Sequence, residues 1–403
     1  MQAVLSNARH PEYGEAIISF PIPENEYDHY LELLEALGIG DPVERDCFIR
    51  EMRQGPPGLK RLTGCNVTLD ELDYLAKRLD SFDDQEMAKF QGAAVSCGCQ
   101  GIVELINLTF SCQQVTIITD FSDLDEIGQN HYMDLNGGTA RAEDLKSLDG
   151  RKMALDLIES GGGRVTPYGV VYDNGMKLSQ LYDGRHFPEY LYESCLASVT
   201  LSLPDRPTER ETLYFPCVES KIARALQRLD VERPEQCVTI LDTDEIADAV
   251  RGVFEGEYPL NEHLYTLNAL TRCLQKLDGQ ALEDFHTVFD TVWPETPEEV
   301  LYLAEELRNF IVVPDISSAE EYGWFLITKS EHLDVDPKLE DCIDYQKYGQ
   351  RRIQEEGGRF GDRGYVAYLG TRPEIRSIMD RNLSERQIEQ MDRTSITMEG
   401  MRL

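Results

Sequence analysis

Two short stretches of this chain carry carboxylates at spacings that could hold a cation. They are Asp120, Asp123, Asp125 and Glu126 in the first and Asp242, Asp244 and Glu245 in the second. A calcium loop of the helix–loop–helix type needs a central glycine and a bidentate glutamate at its end. Neither stretch fits that pattern, so we predict that these acids lie in first turns of helices or on solvated faces and that no metal is bound.

Two further motifs could also bind a ligand. Cys97-Gly98-Cys99 is the one close pair among ten cysteines, but a zinc site usually has a two-residue spacer and a second pair. Gly161-Gly162-Gly163 could cradle a phosphate at the start of a helix. These glycines follow an apparent helix instead, so we predict that glycine ends that helix in the left-handed conformation.

The usual catalytic signatures are absent from the sequence. It contains no Walker A loop, no GxGxxG, no GxSxG and no HExxH motif, and its seven histidines are scattered. Carboxylate pairs can hydrolyse glycosides, but no pair stands out among 74 acids. We therefore expect no enzymatic activity, no catalytic residue and no cofactor, with a carboxylate-based hydrolase as the least favoured alternative.

The most unusual property of the chain is its charge. It has 74 acidic against 39 basic residues, a net charge of −35, yet 41% of its residues are hydrophobic. Such a chain can fold around hydrophobic cores, but direct binding to nucleic acid would need cationic side chains. At one charge per ~1.7 Å of duplex axis, the net charge corresponds to about 60 Å of DNA. Rows of carboxylates on a rigid frame could therefore occupy a basic DNA-binding groove.

The distribution of charge and the absence of sorting signals both bear on where the protein is located in the cell. The segment from Thr371 to Leu403 has equal numbers of arginines and acids, so the whole excess lies upstream, where it is dispersed. The N-terminal residues lack the apolar core of a signal peptide, and no apolar run reaches the length of a membrane span. We expect reduced thiols and a cytoplasmic protein without membrane contact.

The sequence contains an internal repeat, in which residues of the first half match residues 195 positions further along the chain. Phe20-Pro21 falls on Phe215-Pro216, and Gly162-Gly163-Arg164 falls on Gly357-Gly358-Arg359. Leucines at helical spacing also match: Leu69, Leu72, Leu75 and Leu79 fall on Leu264, Leu267, Leu270 and Leu274. We predict a duplication, with a first repeat over 1–195, a second repeat over 196–371 and a charge-balanced tail over 372–403.

Within each repeat the residue patterns predict short helices and strands. Thr68 and Glu71 form a predicted capping box for a helix over 68–79, whose Leu72 and Leu75 we expect in the core together with Leu267 and Leu270. Other predicted helices span 23–37, 81–90, 102–108 and 155–159, and predicted strands span 16–20, 115–118, 165–172, 213–215 and 311–313. The predicted fold class is α+β, in an elongated chain of two tandem units that each comprise several small α/β subdomains.

Taken in order, several motifs resemble the ArdA antirestriction family, and the resemblance covers about 1–371. The segments that carry it are Leu5-Ser6-Asn7, Tyr13-Gly14-Glu15, Phe20-Pro21, Leu69-Asp70-Glu71-Leu72-Asp73-Tyr74-Leu75 with Leu79-Asp80, Asp83, Asp84 and Glu86, Asp120-Phe121-Ser122-Asp123 with Glu126 and Gly128, and Ile343-Asp344-Tyr345, Tyr348-Gly349, Phe360 and Gly364-Tyr365-Val366. The last group, near the end of the second repeat, is the most specific. Two departures stand out. The family unit is usually single and pairs as a homodimer, whereas here two are fused, and the first repeat has Asp149-Gly150 opposite Asp344-Tyr345.

The resemblance implies a bacterial DNA mimic that occupies the DNA-binding groove of the methyltransferase core in type I restriction–modification enzymes. It also implies that the fused chain could act as a pseudo-dimer, with further self-association left open. The alternative is an inhibitor or scaffold that binds another basic DNA-binding partner of a mobile element. The acids that we expect to face the partner are Asp70, Glu71, Asp73, Asp80, Asp83, Asp84, Glu86, Asp120, Asp123, Asp125 and Glu126 in the first repeat, and Asp278, Glu283, Asp284, Glu298, Glu299, Glu305, Glu306, Asp315, Glu320 and Glu321 in the second.

Overall fold

The computed structural model describes residues 1–243, 248–255, 258–329 and 343–381. Helices alternate with four small sheets throughout these ranges, which confirms the α+β class. The chain divides into two compact units. The first contains Met1–Ser194, Thr200–Leu213 and Val218–Arg233, and the second contains Cys195–Val199, Tyr214–Cys217 and the described residues from Pro234 onward.

The first repeat begins with a four-stranded antiparallel sheet in the order β2-β1-β3-β4 and ends with a three-stranded sheet in the order β5-β7-β6. Its strands are β1 (Gln2–Asn7), β2 (Glu15–Ser19), β3 (Cys47–Arg53), β4 (Asn66–Val67), β5 (Val115–Ile118), β6 (Gly163–Thr166) and β7 (Gly169–Asp173). Its helices are α1 (Tyr27–Ala36), α2 (Leu69–Asp80), α3 (Asp84–Cys97), α4 (Ile102–Leu108), α5 (Leu124–Leu135), α6 (Ala142–Ser147) and α7 (Gly150–Glu159).

The second repeat has sheets in the orders β10-β8-β9 and β11-β13-β12. Its strands are β8 (Ala197–Leu203), β9 (Arg206–Phe215), β10 (Val238–Asp242), β11 (Phe310–Pro314), β12 (Arg359–Gly361) and β13 (Gly364–Tyr368). Its helices are α8 (Glu219–Arg228), α9 (Asp248–Glu255), α10 (Leu264–Leu274), α11 (Gly279–Val292), α12 (Pro297–Glu305), α13 (Ala319–Thr328) and α14 (Tyr345–Glu356), followed by a helix over 373–381.

The two repeats have corresponding elements at the offset found in the sequence. The pairs α2 and α10, α3 and α11, α5 and α13, α7 and α14, β5 and β11, and β7 and β13 each begin 195 residues apart. The closing sheets also share one strand order. This agreement along the chain supports the internal duplication.

Leucines at helical spacing supply the core of both repeats, as predicted. Leu72 and Leu75 in α2 and Leu267 and Leu270 in α10 are all fully buried. A polar side chain on each helix also serves the same role: the amide of Ile22 donates to Asp73 at 2.7 Å, and the amide of Cys217 donates to Asn268 at 2.9 Å. Buried amides need such partners, so one helix face both packs and anchors the preceding loop.

Local signals placed several element ends correctly. Thr68 and Glu71 form the predicted capping box at the start of α2. Gly161, just after α7, has a φ of 71°, as predicted for a glycine that ends a helix. The strand expected over 165–172 is instead a hairpin of β6 and β7, because the chain turns after Thr166, whose hydroxyl accepts from the amide of Tyr168 at 3.2 Å.

The units do not follow the predicted domain bounds. Helix α8 belongs to the second repeat by sequence but lies in the first unit. The start of the predicted tail also folds, since the helix over 373–381 buries Ile375, Ile378 and Met379, and the carbonyl of Met379 accepts from Arg359 at 3.1 Å. Residues 382–403 lie outside the described ranges.

Candidate functional site

The starts of α3 and α5 carry a group of exposed or half-exposed carboxylates in the first repeat. We call this group the acidic face, and it consists of Asp83, Asp84, Glu86, Asp120, Asp123, Asp125 and Glu126. Within the described part of the chain, none of its members forms an ion pair with a lysine, arginine or histidine. Their charge is therefore available to a partner outside the chain.

The backbone explains why acids occur at these positions. Asp83 caps α3 by accepting from the amide of Glu86 at 2.8 Å, while Glu86 accepts from the amide of Asp83 at 3.1 Å. Asp123 caps α5 by accepting from the amides of Asp125 and Glu126, each at 3.0 Å. Carboxylates favour helix N-termini because free amides and the helix dipole are both positive there, so these acids are held in place by the fold.

Asp120 lies in the loop before α5 and is held by its neighbour. It accepts from the Ser122 amide at 2.9 Å and from the Ser122 hydroxyl at 2.8 Å. These hydrogen bonds hold the pKa of Asp120 below its ordinary value. A carboxylate fixed in this way stays ionised and keeps a defined position.

Four members of the acidic face surround one cavity of about 330 Å³. Asp84 contributes from α3, Asp120 and Asp123 from the loop that follows β5, and Glu126 from the first turn of α5. Residues Thr116 to Thr119 form part of its wall. Carboxylates from two helices and a loop are thereby brought around one concave site, although 42 residues of sequence separate Asp84 from Glu126.

Three of the acids predicted to face a partner are not on the surface, and that expectation is wrong for them. Glu71 is fully buried, where Arg45 donates to it from two nitrogens at 2.8 and 2.9 Å and the Tyr182 hydroxyl donates at 3.0 Å. Asp73 is 5% exposed and pairs with Lys77 at 2.8 Å. They lie at the two edges of the leucine side of α2, and these partners hold both of them inward.

Asp70 is the third acid for which the predicted surface position is wrong. It belongs to a buried ionic cluster within the first unit. Arg224 and Arg228 of α8 donate to it at 3.0 and 2.7 Å, and the Tyr27 hydroxyl also donates to it. Arg228 donates in addition to Glu211 at 2.7 Å. Burial would raise the pKa of Asp70, but the two arginines outweigh it and hold the pKa below its ordinary value. For Glu211, burial dominates and raises the pKa.

Most glutamates predicted for the second repeat have a partner within the chain. Glu298 lies 2.8 Å from His263, and Glu305 pairs with Arg372 at 2.6 Å. Glu299 accepts two hydrogen bonds from the guanidinium of Arg381, at 2.9 and 3.0 Å. Glu306 accepts from the Tyr368 hydroxyl at 3.1 Å. Arg372 and Arg381 lie at the start of the predicted tail, so that segment neutralises part of the second repeat.

The remaining predicted acids are exposed to different degrees. Asp278, Asp315, Glu320 and Glu321 are exposed, and no ion pair involves them among the described residues. Glu283 lies 3.7 Å from Arg363, Asp284 accepts from Gln280, and Asp80 accepts from the Tyr192 hydroxyl at 2.6 Å. Among the predicted acids, all of which lie in the described ranges, fewer in the second repeat than in the first are therefore without an ion pair.

The other candidate ligand sites have structural roles or lie outside the described ranges. Cys97 and Cys99 are free thiols, and burial raises the pKa of Cys99 to about 11. No group of three or more His, Cys, Asp or Glu side chains could hold a metal ion across the ranges that the structure describes. Asp242 is exposed, whereas Asp244 and Glu245 fall outside those ranges. No described helix is both long and apolar enough to span a membrane.

Sequence reasoning missed one polar group that lies on α3, β5 and α5: Lys89, Thr116, His131 and Asp134, all at least nine-tenths buried. The 195-residue offset contained a signal for it. Thr116 and His131 stand opposite Ile311 and Leu326, and a polar residue at a position where the repeat has an apolar one marks a site with a different use.

No protein-family model matches this chain, and no curated protein matches it significantly. Its own side chains, by their geometry and charge, are what indicate a function.

Proposed function

We propose that this chain is an acidic DNA mimic that binds the DNA-binding groove of a type I restriction–modification enzyme and blocks it. The observation that carries the proposal is the acidic face, in which carboxylates gathered at two helix starts have no cationic partner among the described residues. The net charge of −35 adds a long-range attraction to any basic groove.

A basic DNA-binding groove positions lysines and arginines to meet phosphates at fixed places. Carboxylates on the first turns of helices can meet the same cations because their positions are set by capping hydrogen bonds. A mimic also needs a frame that withstands self-repulsion. Here the buried leucines of α2 and α10 supply that frame.

The target class comes from the motif order that resembles the ArdA family. Asp83, Asp84, Glu86, Asp120, Asp123 and Glu126 belong both to the segments that carry this resemblance and to the acidic face. The mimic needs neither cofactor nor metal, and it contacts its partner rather than nucleic acid.

The test is a competition assay with the methyltransferase core of a type I enzyme and its labelled duplex DNA, using the full chain. We expect displacement of DNA that weakens steeply between about 50 and 200 mM salt, because ion pairs at the interface are screened and counterions compete. Chelator should leave displacement unchanged. Displacement that is indifferent to salt, or no displacement at any salt concentration, would contradict mimicry.

A control separates this target from other basic partners. Other DNA-binding defence enzymes and a non-specific basic DNA-binding protein should be assayed at equal salt. Displacement from the type I core alone supports the specific target. Equal displacement from all of them would replace the proposal by a general role as an inhibitor or scaffold for basic partners.

A further inference from the structure

A buried polar network joins α3, β5 and α5, the elements around which the acidic face is built. Lys89 belongs to α3, Thr116 to β5, and His131 and Asp134 to α5. The Lys89 ammonium donates to one oxygen of Asp134, and the Thr116 hydroxyl donates to the other at 2.9 Å. The Thr116 oxygen also lies 2.8 Å from Nδ1 of His131.

The hydrogen bonds of Thr116 determine that Nδ1 of His131 carries a proton. A hydroxyl has one proton, and that proton goes to Asp134. Nδ1 of His131 must then donate to the Thr116 oxygen, which also accepts from Asn174 at 3.0 Å. This pattern requires a proton on Nδ1 of His131, and burial lowers the pKa of His131, which favours the neutral Nδ1–H ring over the charged one.

Such a network is costly to bury. Lys89, Thr116, His131 and Asp134 are only 8%, 1%, 9% and 5% exposed. Burying two charges carries a large desolvation penalty, and well-packed apolar side chains in their place are often neutral or stabilising. The fold does not explain why the network is present.

The second repeat shows that the same fold forms without it. The equivalent positions are Asp284, Ile311, Leu326 and Lys329. Ile311 and Leu326 pack against the hydrophobic cluster of that sheet, Asp284 accepts from Gln280, and Lys329 lies over the ring of Trp324. A hydrophobic contact therefore replaces the hydrogen bonds between strand and helix.

The second repeat also lacks part of the acidic face. Asp84 and Glu86 stand opposite Gly279 and Ala281. The repeat that has the network is thus the repeat that has the carboxylates at the start of α3. Directional hydrogen bonds fix the position of a helix along its axis more narrowly than apolar contacts do.

We propose that Lys89, Thr116, His131 and Asp134 are positioning residues that hold α3 and α5 in register on β5, so that the acidic face at the starts of these helices presents a fixed carboxylate pattern to cationic side chains of its partner. This inference rests on the proposed function. The four residues are buried and do not touch the partner, yet in this proposal they influence how the partner is recognised.

The test compares full-length variants in the competition assay against the type I methyltransferase core and its duplex DNA. Thr116→Val removes the hydroxyl at nearly constant shape, and Thr116→Ser keeps it. The double change Thr116→Ile with His131→Leu introduces the two apolar residues that the second repeat has at these positions. If Thr116→Val does not fold, this double variant is compared with the wild type in its place. Circular dichroism at the assay temperature establishes folding.

We expect Thr116→Val and the double variant to compete about tenfold more weakly, a change of the size that coupled positions produce, and Thr116→Ser to compete as the wild type does. The slope of competition against salt should also become shallower, because fewer charge pairs form together. Amide hydrogen exchange should quicken in α5 and stay unchanged in α2.

Wild-type competition and salt slope in both folded variants would overturn the positioning role and leave the proposed function standing. Equal weakening by Thr116→Ser and Thr116→Val would also overturn it, because the hydroxyl would not be the cause. If the wild-type chain itself fails to compete, the proposed function fails and the inference fails with it.

Discussion

Helix α3 of the first repeat begins with Asp83, Asp84 and Glu86, whereas α11 of the second repeat begins with Asp278, Gly279 and Ala281. The helices start at matching positions and both are capped by their aspartate. Within the described ranges the carboxylates at the start of α3 pair with no cation, whereas in α12 of the second repeat Glu299 pairs with Arg381 and Glu305 with Arg372. One fold therefore supports two charge patterns, because capping needs only one acid per helix and the others can vary.

The strongest way to break this comparison is to neutralise the acidic face. Changing Asp83, Asp84, Asp120, Asp123 and Asp125 to Asn together with Glu126→Gln should abolish competition with DNA while the fold survives, because Asn also caps helices. The matched control makes six neutral changes in the second repeat: Glu283, Glu298, Glu299, Glu305 and Glu306 to Gln and Asp284→Asn. We expect this control to keep most of the competition. Equal loss in both sets would mean that the two repeats contribute alike.

The buried ionic cluster should have the largest effect on stability. Arg228→Met leaves Glu211 without its arginine and removes one of the two arginines that pair with Asp70, and a buried charge left without its partner typically costs about 3–5 kcal/mol. Denaturation by urea would measure the loss. The control is Arg351→Met in the second repeat, where the exposed pair with Glu355 should be worth about 0–1 kcal/mol. A small loss for Arg228→Met would show that α8 does not depend on these contacts.

The cores of the two repeats should respond alike to truncation. Leu72→Ala and Leu267→Ala each remove a fully buried side chain at equivalent positions and should each destabilise the chain by about 2–5 kcal/mol. Urea denaturation monitored by circular dichroism checks both. Wild-type stability for either variant would place that leucine outside the core.

Helix capping should distinguish the repeats by a smaller amount. Thr68→Ala removes the capping box of α2 and should cost about 1 kcal/mol. At the equivalent start of α10, His263 makes no capping hydrogen bond, so His263→Ala should have a smaller effect on helix formation. The comparison of their unfolding midpoints in urea measures the difference, and equal losses would assign another role to Thr68.

The smallest expected effect is that of one surface charge. Asp125→Asn should change competition with DNA little, since an exposed ion pair is worth about 0–1 kcal/mol and the field is shared by the whole acidic face. The assay at low salt would detect the change most readily. Complete loss of activity in a folded single variant would point to one essential carboxylate, as in an enzyme, instead of a mimic.

The sequence by itself determined the local structure of this protein. Leucine spacing placed α2 and α10, Thr68 and Glu71 marked a helix start, and Gly161 marked a helix end. These signals succeed because helical periodicity, capping and glycine conformation depend on residues within a few positions of one another. Because the two repeats align at an offset of 195 residues, an element predicted in one repeat also predicts its counterpart in the other.

The tertiary structure alone decided which acids are available to a partner. Asp70 lies 154 residues from Arg224 in the sequence and 158 from Arg228, and no local pattern could reveal that α8 would bury it. Glu71 and Asp73 turn inward because Arg45, Tyr182 and Lys77 supply their partners there. A carboxylate is free or paired according to the cations that the fold brings within hydrogen-bond distance, and that distance is set by the packing of remote segments, not by the residues beside it in the chain.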